Sequence, residues 1–421
     1  MSKKWGVRGI LLYILFGLLM FAYLFYWADH TIPESLRGSV ADPSTFMTER
    51  ELVLSEEYSK IRYLLSLLST PYEWLFYLLV LVTGASLLME KSAEKISKYH
   101  AVQSAVYVFY LSILSFIAIF PFQYLSHRFS VEYGISNQTF SAWMKDEMLD
   151  FWLGFLTTFI IVAAIYWLMK KSPKRWWLYA WLFFVPYATF FVFIQPIVID
   201  PLYNDFMSLQ DKELEKEILQ LADQADIPAE HVYQVNMSEE TNAMNAYVNG
   251  IGASSRIVLW DTTLQQLSKD EILVIMAHEM AHYVKKHLYF GLAGYLGLSL
   301  VGLWILSKLV KRWGEQYKDT LKISGWNRLS SLPLLFALLS FMLFAASPIS
   351  NAVSRYSEAS ADQYALELTK DPDAAISTFQ KLTKAGLSQV QPPLLIKWFY
   401  YTHPTMLERL IMIQDFRTSE N

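Results

Sequence analysis

The residues His278-Glu279-Met280-Ala281-His282 close an apolar run that begins at Glu271. On a helix, the spacing of four residues sets both imidazoles on one face, one turn apart. Two nitrogens so placed can share one zinc ion, and Glu279 can reach a water held at that ion. The chain contains no cysteine, so thiolate nucleophiles, disulfides and Cys-ligated zinc are all excluded. Any metal must therefore be held by His, Asp and Glu. A catalytic zinc takes three protein ligands and keeps one position open. The third ligand expected here is Glu358, in the stretch Ser354 to Asp362. That stretch reads as helix, with Glu358 and Asp362 sharing a face. Glu358 can then meet the metal while Asp362 accepts the outer N–H of a ligand His and fixes its orientation. Arg355 is the cation nearest this acidic face. The plainer alternative is a surface helix on which Arg355 simply pairs with its acids.

Such a set hydrolyses peptide bonds. Zinc would acidify water and polarise the scissile carbonyl. Glu279 would take the proton of the attacking water and later deliver one to the leaving amine.

The elements that must position these residues belong to a membrane protein. Of 421 residues, 54% are hydrophobic and 16% aromatic, and the mean hydropathy is +0.24. That is too apolar for an ordinary soluble enzyme. Seven runs are expected to span a bilayer, at 9–28, 72–89, 101–124, 151–169, 176–199, 288–309 and 330–349, each near the ~20 residues a helix needs. Lys3, Lys4 and Arg8 precede the first run as in a signal peptide. Its length and the lack of a small-residue cleavage site make it a retained span. Tyr and Trp gather at run ends, as in interfacial belts. A net charge of −4 gives no reason to expect a nucleic-acid partner.

Two stretches escape the apolar pattern and together make a small, mainly helical catalytic domain. Its parts are 200–287 and 350–421, separated by spans six and seven (288–349) and preceded by five spans in 1–199, with a polar, helical surface loop at 29–71. Leu209 to Ala225 reads as an amphipathic helix and His231 to Val235 as a short strand. Asn245 to Gly250 and Arg256 to Trp260 flank a Gly/Ser-rich turn, as a β-hairpin does. Ser268 and Glu271 form a capping box that starts the helix bearing the His pair. The fold class is thus mainly α, a polytopic protein of seven membrane helices with a zinc-protease domain holding one hairpin.

The ordered set Asn245-Ala246-Tyr247, Arg256 to Leu259 with Asp261-Thr262, His278-Glu279-x-x-His282, Ser354-Arg355 leading to Glu358 and Asp362, and His403-Pro404 with Glu408-Arg409-Leu410 resembles the type I CAAX prenyl endopeptidases. These are integral-membrane zinc proteases of the gluzincin group. The resemblance implies His278, His282 and Glu358 as zinc ligands, Glu279 as base and Asp362 as their supporting acid. It implies His403 and Arg409 as groups that stabilise the transition state, roles that spacing alone would not assign. It also implies that Asn245, Ala246 and Tyr247 border an edge strand on which an extended substrate lies, since strand addition holds a peptide straight whatever its sequence. A chamber enclosed by the helices is implied in the same way. Smaller HtpX-like quality-control proteases share the zinc motif with fewer spans ahead of it, and a non-enzymatic seven-span peptide-binding protein is the remaining alternative.

The expected partners are a lipid bilayer and a hydrophobic or lipidated peptide, in the cell membrane. Basic residues gather between spans two and three, four and five, and six and seven, and before span one. By the positive-inside rule these loops are cytoplasmic and the zinc domain faces outward. The family resemblance implies the cytosolic side instead.

Overall fold

The structure, a computed structural model, describes residues 2–249 and 256–420. The Gly/Ser-rich turn expected between the hairpin strands lies outside them. Fifteen α-helices follow in chain order: α1 (Ser2–Ala22), α2 (Glu49–Thr83), α3 (Ala85–Ile96), α4 (His100–Glu132), α5 (Phe140–Lys171), α6 (Trp176–Ile194), α7 (Lys212–Gln224), α8 (Asp261–Gln266), α9 (Lys269–Val284), α10 (His287–Gln316), α11 (Lys318–Leu321), α12 (Leu332–Thr369), α13 (Pro372–Ala385), α14 (Leu394–Tyr400) and α15 (Met406–Glu420). Four strands, β1 (Phe206–Ser208), β2 (Val232–Val235), β3 (Ala246–Asn249) and β4 (Arg256–Trp260), form one sheet in the order β1-β2-β4-β3.

Among the described residues, six helices are long and apolar enough to cross a membrane: α1, α2, α4, α5, α10 and α12. The expected fifth span is the 19-residue α6. Several helices outrun their apolar stretches. Thr48 caps α2 through a reciprocal bond with Glu51, so the helix begins at Glu49 and takes in much of the expected polar loop. Gly84, at φ 88°, then turns the chain into α3, a left-handed conformation that suits a residue without Cβ. At the other end, α12 runs 38 residues without a break, from its apolar start through Glu358 and Asp362.

Six helices close a ring, each packed on the next in the order α2, α4, α5, α6, α10, α12 and back to α2, with α1 laid against α2. One end of the ring is solid. Val80, Tyr107, Leu111, Val162, Tyr166, Leu306, Val310 and Leu338 share a buried core there. Toward the zinc-motif end the packing stops. No residue is buried between Leu111 and the end of α4, between Trp143 and Val162 in α5, before Leu306 in α10, or between Leu338 and Asn351 in α12. Those stretches of the ring therefore share no common buried core. Ser340 of α12 donates to Glu73 of α2 at 2.9 Å, a polar tie between neighbouring walls of the kind that holds membrane helices together.

The remaining elements cap the open end. The strong amphipathic pattern of α7 buries Leu214, Ile218 and Leu221 against the sheet and α9. The β3–β4 pair is antiparallel, as the hairpin reading expects. The parallel β2–β4 pairing and the short antiparallel strand β1 enlarge it to a four-stranded mixed sheet. That sheet leaves β3 at an edge.

Candidate metal centre and active site

The site is built on α9. Ser268 accepts from the N–H of Glu271 while Glu271 accepts from the N–H of Ser268 at 2.7 Å, the expected capping box. Such a cap stabilises a helix start by about 1 kcal/mol. Glu271 does more than cap, because its carboxylate also accepts from Ser377 at 2.5 Å and Lys381 at 2.8 Å of α13. Burial alone would raise its pKa, but Lys381, Ser377 and the capping N–H reverse this and hold it below the ordinary value. Met276 and Met280 are fully buried, each contributing about 1.5–3 kcal/mol of apolar burial. They turn the opposite face of α9, with its two imidazoles, toward α12.

There the donor atoms converge. His278 Nε2 lies 3.3 Å from His282 Nε2, and 3.1 Å from Glu358 Oε2. Glu358 Oε1 is 3.6 Å from His282 Nε2. Four ligands about 2.0–2.1 Å from a tetrahedral zinc stand about 3.3–3.4 Å from one another, so this spacing fits such an ion. His278, His282 and Glu358 are also the group among the described residues able to hold a metal together. The field suits a cation. Burial opposes a charged His278, yet Asp362 and Glu358 raise its pKa to about 9.

Both rings are turned to present Nε2. His278 Nδ1 lies 2.8 Å from Asp362 Oδ1, in a contact bent away from the ring N–H axis. For His282 the support is His287, the first residue of α10, which the sequence reading did not single out. Ser360 donates its hydroxyl to the Ser357 carbonyl at 2.8 Å, so His287 Nε2, 3.2 Å away, must donate to Ser360. Its Nδ1 is then an acceptor, 3.2 Å from His282 Nδ1. That chain puts the His282 proton on Nδ1 and leaves Nε2 free for a metal. Lys286, in the left-handed conformation at φ 56°, breaks the helix between the two residues and sets this approach.

Glu279 projects into the pocket that His278, Asn245, Ala246, His403 and Arg409 also line. Burial pushes its carboxyl above the ordinary value, against the pull of His278 and His282. His403 Nδ1 is 2.9 Å from Glu358 Oε2, with about half its side chain exposed. Arg409 sits differently from the expectation of a group aimed at substrate. Its Nε and Nη2 both donate to Asp362, at 2.8 and 2.5 Å, and its guanidinium covers the ring of Phe379. Arg409 thus touches Asp362, which in turn lies beside His278. Arg355 pairs with neither acid of α12. Its Nη1 donates to the carbonyls of Lys397 and Tyr401, holding the segment that carries His403.

The edge strand lies beside α9. The Trp260 N–H donates to the Asn245 carbonyl at 3.1 Å, which fixes the alternation along the β3–β4 register. Tyr247 therefore bonds inward to β4, whereas Ala246 and Val248 turn their backbone groups to the open edge. The Ala246 N–H is already taken by the side chain of Asn245 at 2.9 Å. The groups left for an incoming strand are the Ala246 carbonyl and both polar groups of Val248. Of the expected trio, Asn245 and Ala246 border the pocket and Tyr247 faces away from it.

The chain matches known proteins along most of its length. Residues 9–205 match the family model described as CAAX prenyl protease N-terminal, five membrane helices, and residues 208–417 match peptidase family M48. A Bacillus subtilis protein named as an uncharacterized metalloprotease is 48% identical over 100% of this chain and 98% of its own length. The chain belongs to peptidase family M48. It is a multi-pass integral membrane metalloprotease. A CAAX prenyl protease 1 homolog from Dictyostelium discoideum is 28% identical, over 86% of each chain. The crystal structure of Ste24p from S. mikatae has the same fold, with a TM-score of 0.82 over 97% of both chains at 23% identity.

Proposed function

We propose that this metalloprotease is a zinc endopeptidase that cuts extended hydrophobic or lipidated peptides at the mouth of its membrane chamber. The observation that carries this reading is the convergence of two imidazole Nε2 atoms and the Glu358 carboxylate beside Glu279 and an unpaired strand edge. His278, His282 and Glu358 would hold the zinc, which supplies Lewis acidity to the scissile carbonyl and the attacking water.

This chain's own residues do the rest. The Ala246 carbonyl and Val248 accept the peptide as an added strand, which straightens it and exposes one bond. Glu279, its basicity raised by burial, removes a proton from the attacking water and returns it to the departing amine. His403, half-exposed at the rim and linked to Glu358, is placed to donate to the tetrahedral oxyanion. Asp362 and Arg409 keep His278 in register, and Ser360 with His287 does the same for His282.

The ring of long apolar helices under the site favours a substrate with an apolar segment. The printed names of relatives, CAAX prenyl protease 1 among them, favour a prenylated C-terminus. Matched farnesylated and bare peptides given to the purified protein test this. Preference for the farnesylated peptide supports the prenyl reading. Equal cleavage of both would make the protein a general membrane protease like the HtpX-type enzymes.

A further inference from the structure

The C-terminal two-thirds of α10 carries a feature that hydrolysis does not use. Leu298, Val301 and Ile305 are exposed, and the same helical stripe continues as Lys308 and Arg312. The opposite face, with Leu306, Val310 and Gly314, is buried in the ring. Lys308, Lys311 and Arg312 share a shallow, open surface patch with Glu315 and Gln316. Lys311 lies 4.0 Å from Glu315. Among the described residues, Lys308 and Arg312 have no acid within ion-pairing distance. Trp304, exposed at 47%, stands one turn before Lys308, where an interfacial aromatic belongs.

We propose that this patch binds the headgroup phosphate of an anionic phospholipid, with an acyl chain lying along Leu298, Val301 and Ile305. The stripe from Leu298 to Lys308 covers about 15 Å at 1.5 Å per residue, enough to seat most of one acyl chain. The cations begin where the apolar stripe ends, as they must to meet a phosphate at the headgroup level. Each Lys or Arg near an anionic membrane surface adds to the attraction, and two of the three here are not neutralised by a neighbouring acid. The apolar stripe is what commits the site to a lipid over free phosphate, which would gain nothing from it. None of these residues belongs to the metal centre, which lies at the other end of the ring.

Native mass spectrometry of the full chain, released from neutral detergent with phosphatidylglycerol or phosphatidylcholine added, reads the binding directly. The wild type should retain phosphatidylglycerol over phosphatidylcholine, and Lys308→Gln with Arg312→Gln should lower that retention about thirtyfold. Lys308→Arg should keep it. Glu315→Gln, which frees Lys311, should raise retention and does not depend on the double variant folding. Equal retention of the two lipids, an unchanged double variant, no rise in Glu315→Gln, or displacement by inorganic phosphate would each overturn the proposal.

Discussion

At the scale of the residue, the site is a matter of which nitrogen points where. His278 and His282 become ligands only if their protons sit on Nδ1, and each is held that way by a partner outside the motif. For His278 the partner is Asp362, itself gripped at two points by Arg409. For His282 it is His287, aligned by Ser360. Supporting residues of this sort change metal affinity by about 10–100-fold. His287→Ala should therefore raise the zinc dissociation constant at least about tenfold, measured by competition with a chelator, with the fold intact by circular dichroism. Unchanged affinity would mean that His282 needs no such support. The motif itself was legible because four residues of helix bring its parts together. Arg409 was not. It lies 47 residues from Asp362, and only the packing of α15 on α12 and α13 turns its fork onto that acid.

Secondary-structure elements decide what the site can hold. The helix α9 was readable because its cap, its apolar face and its His pair are all local signals. The edge strand was readable as half of a hairpin. Which of its residues face outward depends on register, and register depends on the Trp260–Asn245 bond. Tyr247 was therefore an expected contact that the ladder turns inward. Long helices were misjudged for a different reason. Hydropathy marks only the part of a helix inside the bilayer, so α2 and α12 emerged as spans with separate polar neighbours, although each is one continuous helix. That continuity matters, because α12 carries Glu358 on the same helix that packs in the ring. Val248→Pro removes an outward N–H without breaking a bond to β4. It should raise KM for a peptide several-fold with zinc content unchanged. An unaltered KM would show that the substrate does not add to β3.

At the scale of the molecule, the chain is polarised from end to end. Lys91, Lys95, Lys98, Lys170, Lys171, Lys174, Arg175, Lys308, Lys311 and Arg312 flank the packed end of the ring, while the candidate metal centre caps the opposite end. The basic end predicts a cytoplasmic floor and an outward-facing protease domain. A Ser419→Cys variant in intact cells should then react with a membrane-impermeant maleimide. Labelling only after lysis would place the domain in the cytosol, as the family resemblance implies. Ring closure itself was not legible in the sequence, because seven apolar runs do not say which helix neighbours which. The claim on which everything else depends is that the metal centre and Glu279 together hydrolyse a peptide bond. It is tested most directly by measuring peptide cleavage and bound zinc side by side in the wild type and Glu279→Gln. The account predicts equal zinc in both proteins, with cleavage lower by at least about 10²–10⁴-fold in the variant. Undiminished cleavage in Glu279→Gln would contradict it.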